Sequence, residues 1–335
     1  GTRGSQLALF QARSVADLLR ERTRVACEIV VIRTSGDRLA EAALSEIGGK
    51  RLFVKEIEDA LLSGEIDLAV HSSKDMPAVL PEGLALGAVL PREDPRDAVV
   101  LPAGDESGAG LTGPPRGLEG SAPHSLSLEQ IVTRLGRSPR IGTTSVRRSA
   151  QLTRLLPGAR FLPVRGNLGT RLAKLDGHGD FDALVLAAAG LKRLHHESRI
   201  SALLPVDACV PAPGQGIIAV EVRAADHHVV APLAAIDDAR AAAALDAERA
   251  VVIHLGGGCQ MPIGAYAALD DGDLALTAVV VSVDGARAAR AEARGPAAAA
   301  RAIGVQAAEQ LLARGAGEIL ADVQRAQGAV EGLQP

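Results

Sequence analysis

The chain has 335 residues, of which 47% are hydrophobic and 23% charged, so it is long enough for two or three domains and too apolar for a disordered protein. A net charge of −4, no Trp, one Tyr and four Phe argue against nucleic-acid binding, because neither a basic surplus nor an aromatic surface is present. No apolar run approaches the ~20 residues of a membrane span, and the first residues do not resemble a signal peptide, so we expect a cytoplasmic protein.

The first quarter of the chain is predicted to alternate helices with short strands. The apolar spacing predicts a helix over 5–22 with Ser5 as its N-cap, a strand over 28–32, a loop over 34–50, a helix over 53–63 closed by Gly64, and a strand over 66–70. The last strand leads into Lys74 and Asp75, and prolines at 77 and 81 exclude a helix beyond them.

The middle of the chain begins with a stretch rich in Gly, Pro and Ser over 102–125, which predicts a surface insertion. A helix over 128–135 follows, and then three units of strand, polar turn and helix. These units are 140–142 with 146–156, 161–164 with 168–175, and 183–186 with a short helix around Leu191. The alternation predicts α/β domains rich in parallel strands.

The last third has a different pattern. A strand over 217–222 precedes an alanine-rich helix over 239–254. Strands over 263–268, 274–283 and 287–294 follow, and then helices through Val323, which together predict a small α+β domain.

Three consecutive glycines, Gly256 to Gly258, present Cys259 at the start of this last domain. Glycine runs indicate a close backbone approach or an unusual dihedral angle, and the cysteine they present is a candidate nucleophile or covalent attachment point. A buried structural cysteine beside a turn would give the same pattern. The three cysteines lie far apart, which predicts neither a disulfide framework nor a zinc site.

Arginine-bearing turns precede three predicted helices, at 2–5, 143–148 and 165–171. Helix N-termini at the carboxyl ends of strands bind oxyanions, and arginine clamps carboxylates. Neither a P-loop nor a dinucleotide fingerprint is present, so the residues favour a polycarboxylate ligand. Asp75 could stabilise a cationic intermediate or merely cap a turn, and Lys50 could belong to a lid or to an ordinary helix start.

These segments together resemble the porphobilinogen deaminase family, also called hydroxymethylbilane synthase. The resemblance extends over nearly the whole chain. It is carried by GTRGSQLAL at 1–9, IGGKRLFVKEIE at 47–58, AVHSSKDMP at 69–77, PREDPRDA at 91–98, GTTSVRRSAQL at 142–152, VRGNLGTRLAKL at 164–175, ALVLAAAGLKRL at 183–194, PAPGQG at 211–216 and GGGCQMPIGAYA at 256–267.

The resemblance implies an α/β fold of three domains. Two α/β lobes similar to type II periplasmic binding proteins would enclose the active cleft, and a small α+β domain would carry the cysteine loop. Domain 1 would comprise 1–90 and 217–236, domain 2 residues 91–216, and domain 3 residues 237–335. The late strand over 217–222 would return to complete domain 1, whose first strand is expected to precede Gly1.

The implied activity is the head-to-tail condensation of four porphobilinogen molecules onto a covalent dipyrromethane primer, with loss of ammonia and hydrolytic release of hydroxymethylbilane. The thioether to that cofactor would come from Cys259, and the catalytic residues would be Asp75 and Lys74. The remaining cofactor contacts would be Thr143, Ser145, Arg147, Arg148 and Gly166. Substrate contacts would be Arg3, Ser5, Phe53, Arg147, Arg165, Asn167, Arg171 and Gln215, with Lys50 and Phe53 on the active-site loop. A monomer without metal, nucleic-acid or membrane partners is expected.

Three positions depart from the family pattern: Gly256 stands where Glu is usual, Glu46 where Lys is common, and Ser73 where an apolar residue is usual. Two rival functions fit part of the sequence. A polycarboxylate-binding protein of the periplasmic type explains the lobes and the arginines but not Cys259. A conventional cysteine-nucleophile enzyme explains Cys259, but no His or Asn partner spacing is recognisable.

Overall fold

The computed structural model describes residues 1–34, 54–103, 126–177, 179–258 and 261–331. Three separate β-sheets organise these residues, and each sheet has its own helices and its own apolar core. The predicted combination of two α/β lobes with a smaller α+β unit is confirmed. In the described part of the chain, no helix is both long and apolar enough to cross a membrane.

The first sheet has the strand order β1–β8–β2, and all of its pairs are antiparallel. Its strands are β1 (Leu68–Ser72), β2 (Leu84–Val89) and β8 (Ile218–Arg223). Helices α1 (Gln6–Thr23) and α7 (His227–Leu233) pack on one face, and α2 (Lys55–Ser63) packs on the other. Both faces of the sheet are therefore buried.

The second sheet has the order β5–β4–β6–β3–β7, in which β4 pairs in parallel with β5 and β6, whereas β3 is antiparallel to β6 and β7. Its strands are β3 (Asp97–Val100), β4 (Arg140–Gly142), β5 (Arg160–Leu162), β6 (Ala183–Ala187) and β7 (Ala202–Leu203). Helices α3 (Leu128–Leu135) and α4 (Val146–Leu155) cover one face, and α5 (Leu168–Gly177) and α6 (Ala188–Arg193) cover the other.

The third sheet is an antiparallel meander of β9 (Ile263–Asp270), β10 (Asp273–Val281) and β11 (Ala288–Pro296). Helices α8 (Ala239–His254), α9 (Ala300–Ala313) and α10 (Ala316–Glu331) pack on it. Gly304 allows α9 to lie against α8, because a Cβ there would stand 2.2 Å from the Ala247 carbonyl oxygen.

Local expectations were met to different degrees. The limits predicted for α3 and α8 are confirmed to the residue, and Ser5 caps α1 by accepting a hydrogen bond from the Ala8 amide. The predicted helix over 53–63 begins at Lys55, and β1 lies two residues later than the predicted strand over 66–70. The loop over 34–50 and the insertion over 102–125 lie almost entirely outside the described residues.

Two expectations were wrong. The strand over 28–32 is reduced to an isolated bridge of Val31 with Thr2, because the chain enters helix α1 at Gln6, soon after Thr2. Among the described strands, the expected parallel pairing occurs only between β4 and its two neighbours, β5 and β6. The late strand β8, which does return to the first lobe as expected, inserts between β1 and β2 and runs antiparallel to both.

The two lobes touch through helix α1, whose Phe10 ring packs edge-to-face on His195 with ring centroids 6.5 Å apart. Residues 90–96 lead from the first sheet to the second, and residues 204–217 lead back. We call 90–96 and 204–217 the crossing segments. The side chains that follow β1 and those at the start of α4 are both brought near them.

Candidate active site

A buried carboxylate organises the arginine pair at the start of α4. Both arginines pair with Asp97, with Arg147 Nη1 2.8 Å from Asp97 Oδ2 and Arg148 Nη2 2.8 Å from Oδ1. The Asp97 side chain is fully buried, and both arginines are nearly so. Burial alone would raise the pKa of Asp97, but the two guanidinium groups outweigh it and hold that pKa well below its usual range.

Each arginine is also held by a backbone carbonyl. Arg147 Nη1 donates to the Val210 oxygen at 2.7 Å, and Arg148 Nη1 donates to the Val185 oxygen at 3.1 Å. Arg147 Nε is buried and has no hydrogen-bond partner among the described residues. The pair predicted to hold ligand carboxylates thus lies beneath the surface on an internal anchor, and only part of its donor capacity is used.

Gln215 joins the same cluster. Its Nε2 donates to Asp97 Oδ1 at 2.9 Å and to the Pro95 carbonyl at 2.7 Å. Its Oε1 is buried and meets no donor in the part of the chain that the structure describes. The Cys209 thiol lies 3.4 Å from Asp97 Oδ2. Burial, with a contribution from Asp97, raises the pKa of Cys209 to about 12, so this cysteine is chemically inert near neutral pH.

Lys74 and Asp75 occupy a 3₁₀ turn, Ser73–Asp75, directly after β1. Burial lowers the pKa of Lys74 to about 8; Asp75 and Asp97 act to raise it, and the arginine pair acts to lower it further. The Asp75 side chain is exposed. Lys74 therefore lies within electrostatic reach of the arginine pair, although the two belong to different lobes.

Arg171 links the third arginine-bearing turn to the same place. It belongs to α5, and its Nε donates to the Gly166 carbonyl at 2.9 Å. Burial and the charge of Arg148 lower the pKa of Arg171, whereas Asp75 opposes that shift. Because these influences require proximity, Arg171 lies near both Arg148 and Asp75.

The predicted glycine and hydroxyl residues shape the turns around this region. Ser145 caps α4 and accepts from the Arg148 amide at 3.4 Å, and the Thr143 hydroxyl accepts from the Ser145 amide at 3.2 Å. Gly166 has a φ of +106°, and a Cβ there would collide with Thr170. Asn167 is exposed and caps α5 by accepting from the Thr170 amide at 2.9 Å.

The remaining predicted contacts lie on the turns before α1 and α5 or outside the described residues. Arg3 and Arg165 are partly buried, and Ser5 serves as the N-cap of α1. Lys50, Phe53 and Cys259 lie outside the described residues. At the edge of the cysteine segment, Gly256 has a φ of +63°, a left-handed backbone conformation that glycine adopts without strain.

Asp97 is the residue that the sequence reasoning missed. It lies within the PREDPRDA motif at 91–98. The local sequence signal for its role is an acidic residue at the start of an otherwise apolar segment. The structure places it at the first position of β3, between α4 and the returning chain.

The resulting arrangement suits an acidic ligand. Four cationic side chains, Lys74, Arg147, Arg148 and Arg171, share one region with two carboxylates, Asp75 and Asp97. The surplus positive charge, partly withdrawn from water, attracts carboxylates more strongly than an exposed arginine would. No group of His, Cys, Asp and Glu suited to a metal ion occurs within the described ranges.

Comparison with known proteins gives matches over almost the whole chain. Two family models match, the "Porphobilinogen deaminase, dipyromethane cofactor binding domain" over residues 1–231 and the "Porphobilinogen deaminase, C-terminal domain" over residues 242–313. A porphobilinogen deaminase of Moorella thermoacetica is 44% identical over 333 residues, covering 99% of this chain and 98% of that protein. One of Desulforudis audaxviator is 47% identical over 324 residues, covering 96% of both chains.

Among solved structures, immunogenic lipoprotein A from Vibrio vulnificus matches with a TM-score of 0.38 and 11% identity, covering 70% of this chain and 93% of that chain. The Bordetella pertussis BvgS VFT2 domain matches with a TM-score of 0.37 and 18% identity, covering 68% and 76%. At these scores the structural likeness carries no weight in the assignment, which stands on the family models and the full-length relatives. The chain belongs to the porphobilinogen deaminase family.

Proposed function

We propose that the protein is a hydroxymethylbilane synthase, a transferase that joins four porphobilinogen molecules head to tail, releases ammonia at each step and frees the linear product by hydrolysis. The observation that carries this proposal is the pair of family models spanning residues 1–231 and 242–313, one of which is a dipyrromethane cofactor binding domain. The geometry adds a cationic region suited to ligands that bear several carboxylates.

The residues present fit a dipyrromethane group. Each of its pyrroles carries an acetate and a propionate, and the region around Lys74, Arg148 and Arg171 holds a surplus of positive charge. The buried, unpartnered Nε of Arg147 is a further donor next to that region. We assign the carboxylates to these four side chains and the thioether to Cys259. When bound, the group supplies the pyrrole carbon to which the next substrate molecule is joined.

Asp75 is assigned to the reacting end of the substrate. Its carboxylate is exposed after β1 and lies within electrostatic reach of Lys74 and Arg171. A carboxylate there can accept hydrogen bonds from pyrrole N–H groups and stabilise positive charge that develops on the substrate as ammonia leaves. Lys74, charged at neutral pH, would hold a substrate carboxylate and keep the substrate oriented toward Asp75.

The outer contacts complete the assignment. We place Arg3, Ser5, Arg165 and Asn167 around later pyrrole units, because they lie on the turns at the starts of α1 and α5. Thr143, Ser145 and Gly166 would shape the wall of the site. Lys50 and Phe53 would close it from the loop of the first lobe, and Gln215 would act through its contact with Asp97.

A binding protein for polycarboxylates that lacks catalysis would also need the cationic region. The full-length relatives named porphobilinogen deaminase do not favour it. A monomer in the cytoplasm, with domain limits at 1–90 with 217–236, 91–216 and 237–335, stays a prediction. Light scattering on the purified chain tests the monomer, and limited proteolysis tests the domain limits.

The decisive experiment is intact-protein mass spectrometry with peptide mapping of Cys259, followed by incubation with porphobilinogen. We expect two linked pyrrole units on Cys259 and release of ammonia together with hydroxymethylbilane. Cys259→Ser should lack both the added mass and turnover, whereas Cys27→Ser, a change at an exposed cysteine, should retain both. A wild-type chain that stays unmodified after incubation would contradict the proposal.

A further inference from the structure

The Asp97 carboxylate accepts contacts from several buried side chains. Its Oδ1 accepts from Arg148 Nε at 2.9 Å and from Gln215 Nε2 at 2.9 Å, and the same oxygen lies 2.8 Å from Arg148 Nη2. Its Oδ2 lies 2.8 Å from Arg147 Nη1. One carboxylate therefore faces two guanidinium groups, so it compensates only half of their charge.

The contacts fix the direction of both guanidinium groups. Arg148 is held by Asp97 on two nitrogens and by the Val185 carbonyl on the third. Arg147 is held between Asp97 and the Val210 carbonyl, with its Nε left over. An arginine held in this way presents its unused N–H groups in one orientation, and less conformational entropy is lost when a ligand binds.

Asp97 also connects the arginines to both segments that cross between the lobes. It follows Pro95 in the outgoing segment, and Gln215 in the returning segment donates to both Asp97 and the Pro95 carbonyl. The negative charge of Asp97 also acts to raise the pKa of Lys74, which belongs to the other lobe. The Asp97 carboxylate is therefore linked both to the segments that connect the lobes and to the arginines whose orientation it fixes.

We propose that Asp97 is a positioning residue, which aligns Arg147 and Arg148 for the carboxylates of the pyrrole chain without touching that chain itself. This inference rests on the proposed function. It predicts that the distance between the Asp97 carboxylate and the guanidinium groups matters for ligand affinity, beyond the charge that Asp97 supplies.

Two variants of the cofactor-bearing enzyme test this. Asp97→Asn removes the charge and half of the acceptors, and Asp97→Glu keeps the charge but displaces the carboxylate by about one bond length, a scale at which misplacement weakens a site strongly. The matched control is Asp182→Asn, because Asp182 makes a comparable two-point pair with Arg140 at the opposite end of β4, at 2.7 and 3.2 Å, and is partly exposed.

For both Asp97 variants we expect KM for porphobilinogen to rise at least about tenfold, the factor for losing one charge-assisted hydrogen bond, while kcat per cofactor-bearing molecule changes less than about threefold. The covalently modified fraction, read from intact mass, should fall as well. The Asp182 control should leave KM and the modified fraction unchanged. In an Arg148→Gln background, the effect of Asp97→Glu on KM should shrink, because Asp97 acts through that arginine.

An unchanged KM in folded Asp97→Glu, or an equal effect in both backgrounds, would overturn the inference. If Asp97→Asn does not fold, the Asp97→Glu result decides alone. Failure of the proposed function would show itself differently, as a wild-type enzyme that neither carries the added mass nor releases ammonia.

Discussion

Arg92 and Glu248 form a two-point ion pair, in which Arg92 Nη1 lies 2.7 Å from Glu248 Oε1 and Nη2 lies 2.7 Å from Oε2. Arg92 belongs to the segment that connects the first two sheets, and Glu248 belongs to α8 of the C-terminal unit. Glu248 also accepts from the Gly214 amide at 2.6 Å and from the Ala267 amide at 2.8 Å. This carboxylate therefore ties both crossing segments to the C-terminal unit.

Replacing Glu248 by Ala should destabilise the protein by about 3–5 kcal/mol, because it leaves the largely buried Arg92 guanidinium without its carboxylate partner. The fully buried Glu248 also satisfies two backbone amides that would lose their acceptor. The measurement is the denaturant midpoint, and the control is Asp17→Asn, whose pair with Arg20 is exposed on both sides and should contribute little. Equal shifts in the two variants would contradict the prediction.

Gly214→Ala should cost more stability than Gly64→Ala, although both glycines have left-handed backbones, with φ of +73° and +80°. The backbone conformation costs about 1–2 kcal/mol for an L-residue at either position. Only at Gly214 would the added Cβ also meet a neighbour, with Ser73 Oγ at 2.5 Å. Thermal unfolding of the two variants measures the difference, and identical melting temperatures would show that the turn at Ser73 yields.

Ser73→Ala should leave stability unchanged or raise it. The Ser73 hydroxyl is buried, and within the described ranges its Oγ has no hydrogen-bond partner. An unpartnered buried hydroxyl costs about 1–3 kcal/mol of desolvation, which the methyl group of alanine avoids. Ser149→Ala is the comparison, because the Ser149 hydroxyl donates to the Ser145 carbonyl at 2.9 Å and its loss should not stabilise. A clear loss of stability in Ser73→Ala would refute this account.

Lys74 should give the enzyme a falling alkaline limb in kcat/KM. Burial lowers the pKa of Lys74 to about 8, so its positive charge, and with it affinity for carboxylates, is lost as pH rises through that value. Lys74→Arg should move this limb to higher pH, since arginine stays charged, whereas Lys192→Arg should leave the profile unchanged. An unaltered profile in Lys74→Arg would mean that another group titrates.

The lowered pKa of Lys74 also makes the free energy of unfolding depend on pH. The unfolded chain keeps the Lys74 proton up to the ordinary lysine pKa of 10.5, whereas the folded chain releases it near pH 8. Between these values the unfolded state binds more protons, so this lysine makes the free energy of unfolding rise with pH. Denaturant titrations of wild type and Lys74→Met at pH 8 and pH 10 measure the contribution, and a smaller rise is expected in the variant.

Cysteine labelling should separate the three thiols in the native protein. Cys27 is exposed and should react with iodoacetamide, whereas burial raises the pKa of Cys209 to about 12 and should protect it until the protein unfolds. Cys259 should be blocked if it carries the cofactor. Peptide mapping after native and denaturing labelling makes the test, and native labelling of Cys209 at the rate of Cys27 would contradict the described packing.

The sequence alone determined much of the local structure and indicated the family. Capping and apolar spacing place α3 and α8 at their observed limits, since those signals lie within a few residues of each helix end. The glycine-presented Cys259, the turn at Lys74 and Asp75, and the arginine-bearing turns were recognisable as motifs because residue type and spacing are written in the chain.

Only the tertiary structure decided which distant groups meet. The insertion of β8 between β1 and β2 joins residues some 150 positions apart, as in the 3.0 Å contact of His71 with Glu221, and no local pattern specifies that pairing or its antiparallel direction. Likewise Asp97, Arg147 and Gln215 each carry an ordinary local signal. Arg147 and Gln215, two of the predicted ligand contacts, are both anchored on Asp97 in the interior. This shared burial arises only when both lobes and the segments between them pack together.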